Sequence, residues 1–143
     1  KATLDDIPDI YRIELLCFND PWDYKAMIEM MTLYLTSFYV AEADGRIIGF
    51  SAGAIEDTDE EKYGHVCNIA VTPEMRGFGI GRLLLRKVER DFFLEGCRAC
   101  SLEVRKSNTN AHGFYERLDY EDVLVFGGYY SDGEDAIVMM RWF

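Results

Sequence analysis

Three glycines at alternating positions, directly before an amphipathic helical pattern, are the feature of this sequence that most clearly indicates chemistry. The segment reads Arg76-Gly77-Phe78-Gly79-Ile80-Gly81. Because glycine has no Cβ and readily takes positive φ, consecutive amides in such a loop can converge on an anion that also faces the N-terminus of the next helix. The pattern predicts a phosphate-binding loop. A loop whose glycines serve only for turning is the alternative that spacing leaves open.

Two common phosphate loops do not fit this segment. A P-loop ends in Gly-Lys followed by Ser or Thr, whereas Gly81 is followed by Arg82 and Leu83. A Rossmann fingerprint needs its last glycine where Arg82 stands. Glu103 lies at about the right distance to act as the ribose-binding acid of that fold, but the pattern holds only two strand-to-helix units, which are too few for it. The predicted phosphate therefore belongs to another kind of ligand.

The hydrophobic pattern predicts a mixed α/β fold with the order α-α-β-β-β-α-β-α-β-β. The first helix is predicted to begin near Thr3 and to end before Phe18, and the second to begin near Asp23. Strands are predicted at residues 37–43, 46–55, 64–71, 99–105, 121–130 and 136–142, and the later helices at 80–94 and 107–118. In the first of these helices apolar residues repeat at helical spacing and Gly96 is predicted to close it: Ile80, Leu83, Leu84, Val88 and Phe92. Two strand-to-helix turns follow one another, so two helix N-termini should lie near one crevice that suits a phosphate-bearing ligand.

The composition is typical of one globular domain, residues 1–143. With 49% hydrophobic and 29% charged residues, the chain can bury a core without disulfides or metals. The net charge of −11 argues against a nucleic-acid partner, and it serves either solubility or the attraction of a cationic amine. No apolar run reaches the roughly 20 residues that span a bilayer, and the start does not resemble a signal peptide. A cytoplasmic protein without a membrane partner is expected.

The four cysteines do not form a metal-binding pattern. Cys97 and Cys100 make a single C-x-x-C pair, with no second pair or histidine nearby. Together with Cys17 and Cys67 they are interpreted as buried thiols of a cytosolic protein, and no metal site is expected.

The loop and its flanks resemble the GNAT superfamily of N-acetyltransferases, and within it the RimI/Ard1-like protein N-terminal acetyltransferases. Residues 76–81 match the superfamily signature R/Q-x-x-G-x-G/A. The flanking segments 64–73, 102–118 and 129–139 resemble the corresponding parts of the RimI/Ard1-like enzymes. The resemblance covers nearly the whole chain. It implies the single-domain GNAT fold, a mixed and mostly antiparallel sheet flanked by helices.

The resemblance also implies acetyl-CoA as the cosubstrate. Main-chain groups of the glycine-containing loop would hold its pyrophosphate, namely those of Arg76, Gly77, Phe78, Gly79, Ile80, Gly81 and Arg82. Main-chain groups of Ile69, Ala70 and Val71 would pair with the pantetheine arm and orient the acetyl carbonyl, where an amide could stabilise the oxyanion. Asn108 and Tyr115 would lie along the same arm near the sulfur.

Catalysis in the family is direct attack of an amine on the thioester, so none of the cysteines is needed as a nucleophile. Glu103 matches the catalytic acidic residue of RimI-like enzymes. As a carboxylate it would accept the amine proton, directly or through water. Tyr115 would donate a proton to the departing thiolate. The ordinary pKa is about 10 for a tyrosine hydroxyl and about 8.5 for a thiol. The alternative for Glu103 is a solvated carboxylate on a strand, and the alternative for Tyr115 is an aromatic residue of the core. His65 is either a base or a structural residue.

The acceptor is expected to lie between residues 18–24 and a hairpin carrying two tyrosines. The aromatic side chains of these segments suit a short extended peptide end, and core packing is their alternative: Phe18, Trp22, Tyr24, Tyr129 and Tyr130. The expected acceptor is a protein or peptide N-terminus: at pH 7 roughly a tenth to a fifth of an α-amine is neutral, against less than about 0.1% of a lysine side chain, which makes a lysine far more demanding. A ribosomal protein is one candidate.

Two other functions stay open at this point: a lysine or small-polyamine acetyltransferase, and a module that binds acetyl-CoA without turnover. The retention of Glu103 and Tyr115 weighs against the second. The sequence makes no prediction of oligomeric state. It departs from the family at Asp119, where a glycine is usual, at Tyr120, where phenylalanine is usual, and at Gly127-Gly128, where polar residues are frequent. These departures do not change the fold prediction. The acceptor preference of the family does not carry over to this chain, because the altered residues include the substrate hairpin.

Overall fold

The helices and strands of the computed structural model, which describes residues 1–33 and 37–143, follow the predicted order. The start of the predicted first helix, Leu4–Asp6, is 3₁₀ rather than α, and a short 3₁₀ helix at Pro73–Met75 is additional to the prediction. The α-helices are α1 (Ile7–Cys17), α2 (Tyr24–Leu33), α3 (Ile80–Leu94) and α4 (Thr109–Glu116), and the strands are β1 (Phe38–Ala43), β2 (Arg46–Asp57), β3 (Lys62–Val71), β4 (Ala99–Arg105), β5 (Glu121–Phe126) and β6 (Ala136–Trp142).

Strand β5 is shorter than the predicted strand 121–130, which was wrong in its second half. The strand ends at Phe126, and Gly128 follows with a φ of 65°. The Gly128 amide donates to Asp135 Oδ1 at 2.9 Å and so takes a side-chain acceptor in place of a strand partner. Tyr129 and Tyr130 therefore lie in the loop between β5 and β6.

The six strands form one sheet in the order β1-β2-β3-β4-β6-β5, in which only β3 and β4 are parallel neighbours. Their pairing begins at Tyr63 opposite Ala99 and ends at His65 opposite Ser101. Beyond this point β3 still pairs with β2, and β4 still pairs with β6. The later halves of β3 and β4 thus face each other without a ladder, and the sheet is split between them.

Helices cover both faces of this sheet, and each face has its own core cluster. The cluster under α3 and α4 includes Val66, Leu85, Val88, Phe92, Leu102, Tyr115 and Met139. The cluster under α1 and α2 includes Ile7, Ile10, Ile13, Met27, Met31, Phe50 and Ala70. This arrangement confirms the predicted mixed α/β fold with a mostly antiparallel sheet.

A β-bulge in β3 changes which side chains face α1. Asn68 lies opposite Ala52 and Val66 lies opposite Gly53, so Cys67 is the extra residue on β3. Val66 packs in the α3 cluster, Cys67 packs against the α1 cluster, and the Asn68 amide contacts α1. Two consecutive side chains therefore point to the α1 side, just after β3 and β4 part.

Helix α3 packs on the sheet largely as its spacing predicts. It buries Leu84, Leu85, Val88, Glu89 and Phe92, whereas Leu83, which the periodicity also assigned to the buried face, is 68% exposed. The helix ends as predicted at Gly96, whose φ is 85°, and the Cys97 amide bonds the Phe92 carbonyl at 2.9 Å. This bond is the C-terminal cap that a glycine in this position allows.

The two departures after α4 have physical explanations. Asp119 has a φ of 73°, in the left-handed region where glycine is least strained, and aspartate tolerates that region better than most residues. The hydroxyl of Tyr120 is buried but satisfied, because it donates to Glu89 Oε2 at 2.6 Å. A phenylalanine would remove this donor from Glu89 Oε2, whereas Glu89 Oε1 would keep its two arginine partners, Arg86 and Arg141.

Candidate active site

The loop before α3 has the backbone of an anion-binding nest. Gly77 and Gly79 both take positive φ, 86° and 82°, and Gly79 is the residue that precedes the first turn of α3. Among the residues that the structure describes, no atom lies within 4 Å of the place that a Cβ would take at either glycine. The loop therefore leaves open space around these two glycines, next to the positive end of a 15-residue helix. This geometry fits the pyrophosphate of acetyl-CoA.

Gly81 has a different purpose from the other two glycines. A Cβ on this residue would lie 3.3 Å from the Phe114 ring of α4, so its lack of a side chain serves the packing of α4 beside α3. This packing requirement is separate from both phosphate binding and turning, the two roles that the spacing left open.

The Arg76 side chain anchors the loop. Its Nε donates to the Val71 carbonyl at 3.0 Å, and its Nη2 lies 3.5 Å from Cys17 Sγ at the end of α1. The guanidinium is engaged with the end of β3 and with α1. Anion binding by this loop would accordingly use its main-chain amides, as predicted.

Glu103 is paired with His65 at the point where β3 and β4 separate. His65 Nε2 lies 2.7 Å from Glu103 Oε2, and each side chain is about a quarter exposed, at 24% and 23%. Cys67 Sγ lies 3.6 Å from the other ring nitrogen. Burial lowers the pKa of His65, but hydrogen bonds with Cys67 and Glu103 and the carboxylate charge outweigh burial and raise that pKa to about 10. His65 is therefore protonated at neutral pH, and Glu103 is not a freely solvated strand carboxylate.

The loop between β5 and β6 that carries Tyr129 and Tyr130, here called the aromatic hairpin, lies beside Glu103. The rings of Tyr129 and Tyr130 meet edge to face at 5.0 Å. Burial and the Glu103 carboxylate raise the pKa of Tyr129. Burial and the neighbouring Tyr129 raise the pKa of Tyr130 to about 12, and the Arg105 guanidinium lies over the Tyr130 ring at 4.0 Å. The structure thus brings the two predicted hairpin residues together with the predicted base.

The other predicted acceptor segment, residues 18–24, is partly core. Phe18 and Trp22 are half-buried against the α1 cluster, and the Tyr24 ring meets Tyr11 of α1 edge to face at 5.2 Å. The ring contact of Tyr24 is thus with α1. The segment reaches the hairpin through Asp20, which accepts from the Ser131 hydroxyl at 2.7 Å.

Tyr115 and Asn108 have structural contacts of their own. Tyr115 is buried and meets Phe114 and Tyr120 edge to face, and burial raises the pKa of its hydroxyl well above the ordinary value. Such a phenol stays protonated and can donate a hydrogen bond, whereas full transfer of its proton to a thiolate becomes more unfavourable. Asn108 Oδ1 accepts from the Ala111 amide at 3.1 Å and caps α4.

Two charged residues of this region were not predicted from the sequence. Glu14 of α1 is 1% exposed and bonds both the Trp22 amide and the Asn68 side chain. Arg105 forms ion pairs with Asp132 at 2.9 Å and Glu134 at 3.0 Å. A signal for Glu14 was available, because it stands four residues after Ile10, on the apolar face of a helix.

Residues 1–33 and 37–143 meet the requirements of neither a metal cluster nor a membrane-spanning helix. They contain no group of three or more His, Cys, Asp and Glu side chains able to hold a metal ion. None of the helices described is both long and apolar enough to cross a membrane. Cys97 and Cys100 are buried as predicted, but Cys17 and Cys67 are only half-buried, so the interpretation of all four as buried thiols was wrong for these two.

Comparisons with known proteins agree with this geometry. The model of the acetyltransferase (GNAT) family matches residues 7–120. An uncharacterised N-acetyltransferase of Methanocaldococcus jannaschii is 37% identical over 99% of this chain and 88% of its own length. An N-alpha-acetyltransferase of Saccharolobus solfataricus is 35% identical over 99% of this chain and 90% of its own. The crystal structure of the ribosomal-protein-S18-alanine N-acetyltransferase from Escherichia coli superposes with a TM-score of 0.83 at 29% identity, covering 99% of this chain and 90% of that one. The chain therefore belongs to the acetyltransferase (GNAT) family, within which the loop and its flanks had predicted RimI/Ard1-like relatives.

Proposed function

We propose that this protein transfers the acetyl group of acetyl-CoA to the α-amino group of a protein or peptide N-terminus. The observation that carries the proposal is the His65–Glu103 pair at the split of the sheet, with His65 Nε2 2.7 Å from Glu103 Oε2. The aromatic hairpin lies beside this pair. Curated relatives of similar length that are named N-alpha-acetyltransferases support the choice of acceptor.

Acetyl-CoA would supply the activated thioester carbonyl. The amides of residues 76–82 would hold its pyrophosphate against the N-terminus of α3, because the loop presents an open nest there. Ile69, Ala70 and Val71 lie on the part of β3 that no longer pairs with β4, so the edge of the strand is open there to the pantetheine arm and the acetyl carbonyl. The Ile69 amide and the Val71 carbonyl already bond Asn68 and Arg76, so the arm would pair with the other main-chain groups of this segment.

Glu103 would take the proton of the attacking amine, directly or through water. His65 is already protonated at neutral pH and cannot accept a second proton on its ring, so we assign it the task of holding and orienting the carboxylate. The second Glu103 oxygen, which the His65 bond leaves aside, would face the acceptor. Proton acceptance by a positioned carboxylate contributes about 10²–10⁴-fold to such reactions.

Tyr115 and Asn108 would lie along the pantetheine arm near the sulfur. Because burial keeps the Tyr115 phenol protonated, we propose that it stabilises the departing thiolate by donating a hydrogen bond. Asn108 would contribute mainly by capping α4, which places the start of that helix beside the cleft.

The acceptor would enter between residues 18–24 and the hairpin. Tyr129 and Tyr130 would flank its first residues, with Phe18 and Trp22 on the opposite side and Tyr24 behind them. The similarity to the Escherichia coli enzyme makes a ribosomal protein N-terminus one acceptor to test.

We also propose that residues 1–143 form one GNAT N-acetyltransferase domain and that it works in the cytoplasm. Strand β6 lies beyond the matched residues 7–120 but joins β4 to β5, which makes it part of the sheet. The four cysteines are free thiols, as is usual in reducing compartments.

A thiol-release assay tests the proposal. The protein is incubated with acetyl-CoA and short peptides with free or blocked N-termini, lysine peptides, or spermidine. Release with free N-termini and none with blocked ones is the expected result. Release only with lysine peptides or spermidine would contradict the N-terminal assignment, and tight acetyl-CoA binding without release would indicate a non-catalytic module.

A further inference from the structure

Glu14 is a buried acid for which the reaction described above has no task. Its side chain lies on the face of α1 that contacts the sheet and is 1% exposed. One carboxylate oxygen accepts from the main-chain amide of Trp22 at 3.3 Å, and the other accepts from the Asn68 side chain. The residue therefore connects α1 to the acceptor segment on one side and to the bulge of β3 on the other.

Asn68 extends this connection to the strand that would orient the thioester. Its Oδ1 accepts from the Ile69 amide at 3.1 Å, so its NH₂ group is directed at Glu14. The result is a continuous series of hydrogen bonds from Trp22, through Glu14 and Asn68, to Ile69. It joins the two substrates' predicted binding segments inside the protein.

The chemistry of this position requires an acceptor of two bonds. Both partners of Glu14 are donors, and a carboxylate can accept from both, whereas an amide side chain offers only one acceptor atom. Burying a carboxylate whose hydrogen-bond partners are only neutral donors costs free energy. Burial therefore raises the pKa of Glu14 to about 7, although the hydrogen bonds from Trp22 and Asn68 lower it. An apolar side chain would avoid that cost but would leave the Trp22 amide and the Asn68 NH₂ group without this acceptor, so the carboxylate serves to connect these two segments.

We propose that Glu14 is a positioning residue for the transfer reaction, which sets the acceptor segment at Trp22 relative to the Ile69–Val71 strand. This inference rests on the proposed function. In a reaction between two bound substrates, a small displacement of one binding segment against the other moves the amine away from the carbonyl. A second contact of α1 supports this role, because Cys17 Sγ lies 3.6 Å from the Val71 carbonyl.

The test compares Glu14→Leu with the wild type in steady-state kinetics and in acetyl-CoA binding. The expected result is a roughly tenfold fall in kcat/KM for an N-terminal peptide, the factor that corresponds to one lost hydrogen bond of ordinary strength, with acetyl-CoA affinity within about twofold. Glu89→Gln is the matched control, because Glu89 is also a buried acid but bonds Tyr120, Arg86 and Arg141 away from this series. Its peptide kcat/KM should stay within about twofold of the wild-type value.

Two outcomes would overturn the inference: an unchanged kcat/KM for the peptide, or an equal fall in peptide turnover and acetyl-CoA affinity, which indicates general damage. If Glu14→Leu does not fold, Glu14→Gln is judged by the same outcomes, since it keeps the shape and one acceptor atom. Failure of the proposed function would appear elsewhere, as a wild-type protein that releases no thiol with any N-terminal peptide.

Discussion

At the scale of single residues, the proton leaving the amine needs an acceptor, and the contacts of His65 decide which group that is. Its imidazole is protonated at neutral pH and donates to Glu103, so the carboxylate is the remaining base within the pair. The histidine alone suggested a base, since its ordinary pKa is about 6.5. The neighbouring acid changes that interpretation.

Glu103→Gln should lower kcat by about 10²–10⁴-fold, the contribution of a positioned general base. The loss should be largest at low pH, where the neutral amine is scarce. Profiles of thiol release against pH for both proteins measure this, with Glu121→Gln on the exposed strand β5 as the control. An unchanged profile in the Glu103 variant would remove this residue from the role of base.

His65→Gln tests the ion pair itself through stability. The pKa of His65 is raised in the folded protein, so its stabilising effect is complete below about pH 6.5 and is lost as pH rises through about 10. The free energy of unfolding of the wild type should therefore fall over this range, by up to about 1.4 kcal/mol per pH unit for the one proton concerned. Urea unfolding across the range should show a shallower slope for the variant. Equal slopes would mean that His65 is not charged in the folded protein.

At the scale of elements, the start of α3 combines two left-handed glycines with a helix N-terminus. Gly79→Val introduces strain at a φ of 82° and should weaken acetyl-CoA binding about tenfold or more, because the amides of the nest would turn away from the pyrophosphate. Titration calorimetry measures the affinity. Gly45→Val is the matched control: its φ is 76° and it is equally open, but it lies in the β1–β2 hairpin. An intact affinity in Gly79→Val would contradict the phosphate-loop assignment.

Periodicity was sufficient to predict most elements but not their ends. The spacing in α3 and the glycine after it predicted that helix and its cap, since both are local properties. Strand β5 was extended too far, because the turn at Gly128 depends on Asp135, seven residues away. The bulge at Cys67 gives no local signal, since it appears only in the register against β2.

At the scale of the whole molecule, the split in the sheet assembles the site from distant parts of the chain. The family resemblance predicted Glu103, Tyr115 and the hairpin from their motifs. It could not predict the partners that hold them. Glu14 and Asn68 are 54 residues apart, and Arg105 is 27 residues from Asp132, so these contacts exist only after folding. Buried polar contacts of this kind have no pattern in sequence.

The most direct test of the central claim is the site of acetylation on a peptide that carries both a free α-amine and a lysine. After incubation with acetyl-CoA, fragment mass spectrometry locates the added acetyl group. We expect one acetyl group on the α-amine, because its neutral fraction at pH 7 is roughly 200–400-fold larger than that of a lysine side chain and because a peptide end would fit between the hairpin and residues 18–24. Acetylation of the lysine side chain with a free α-amine left intact would contradict it.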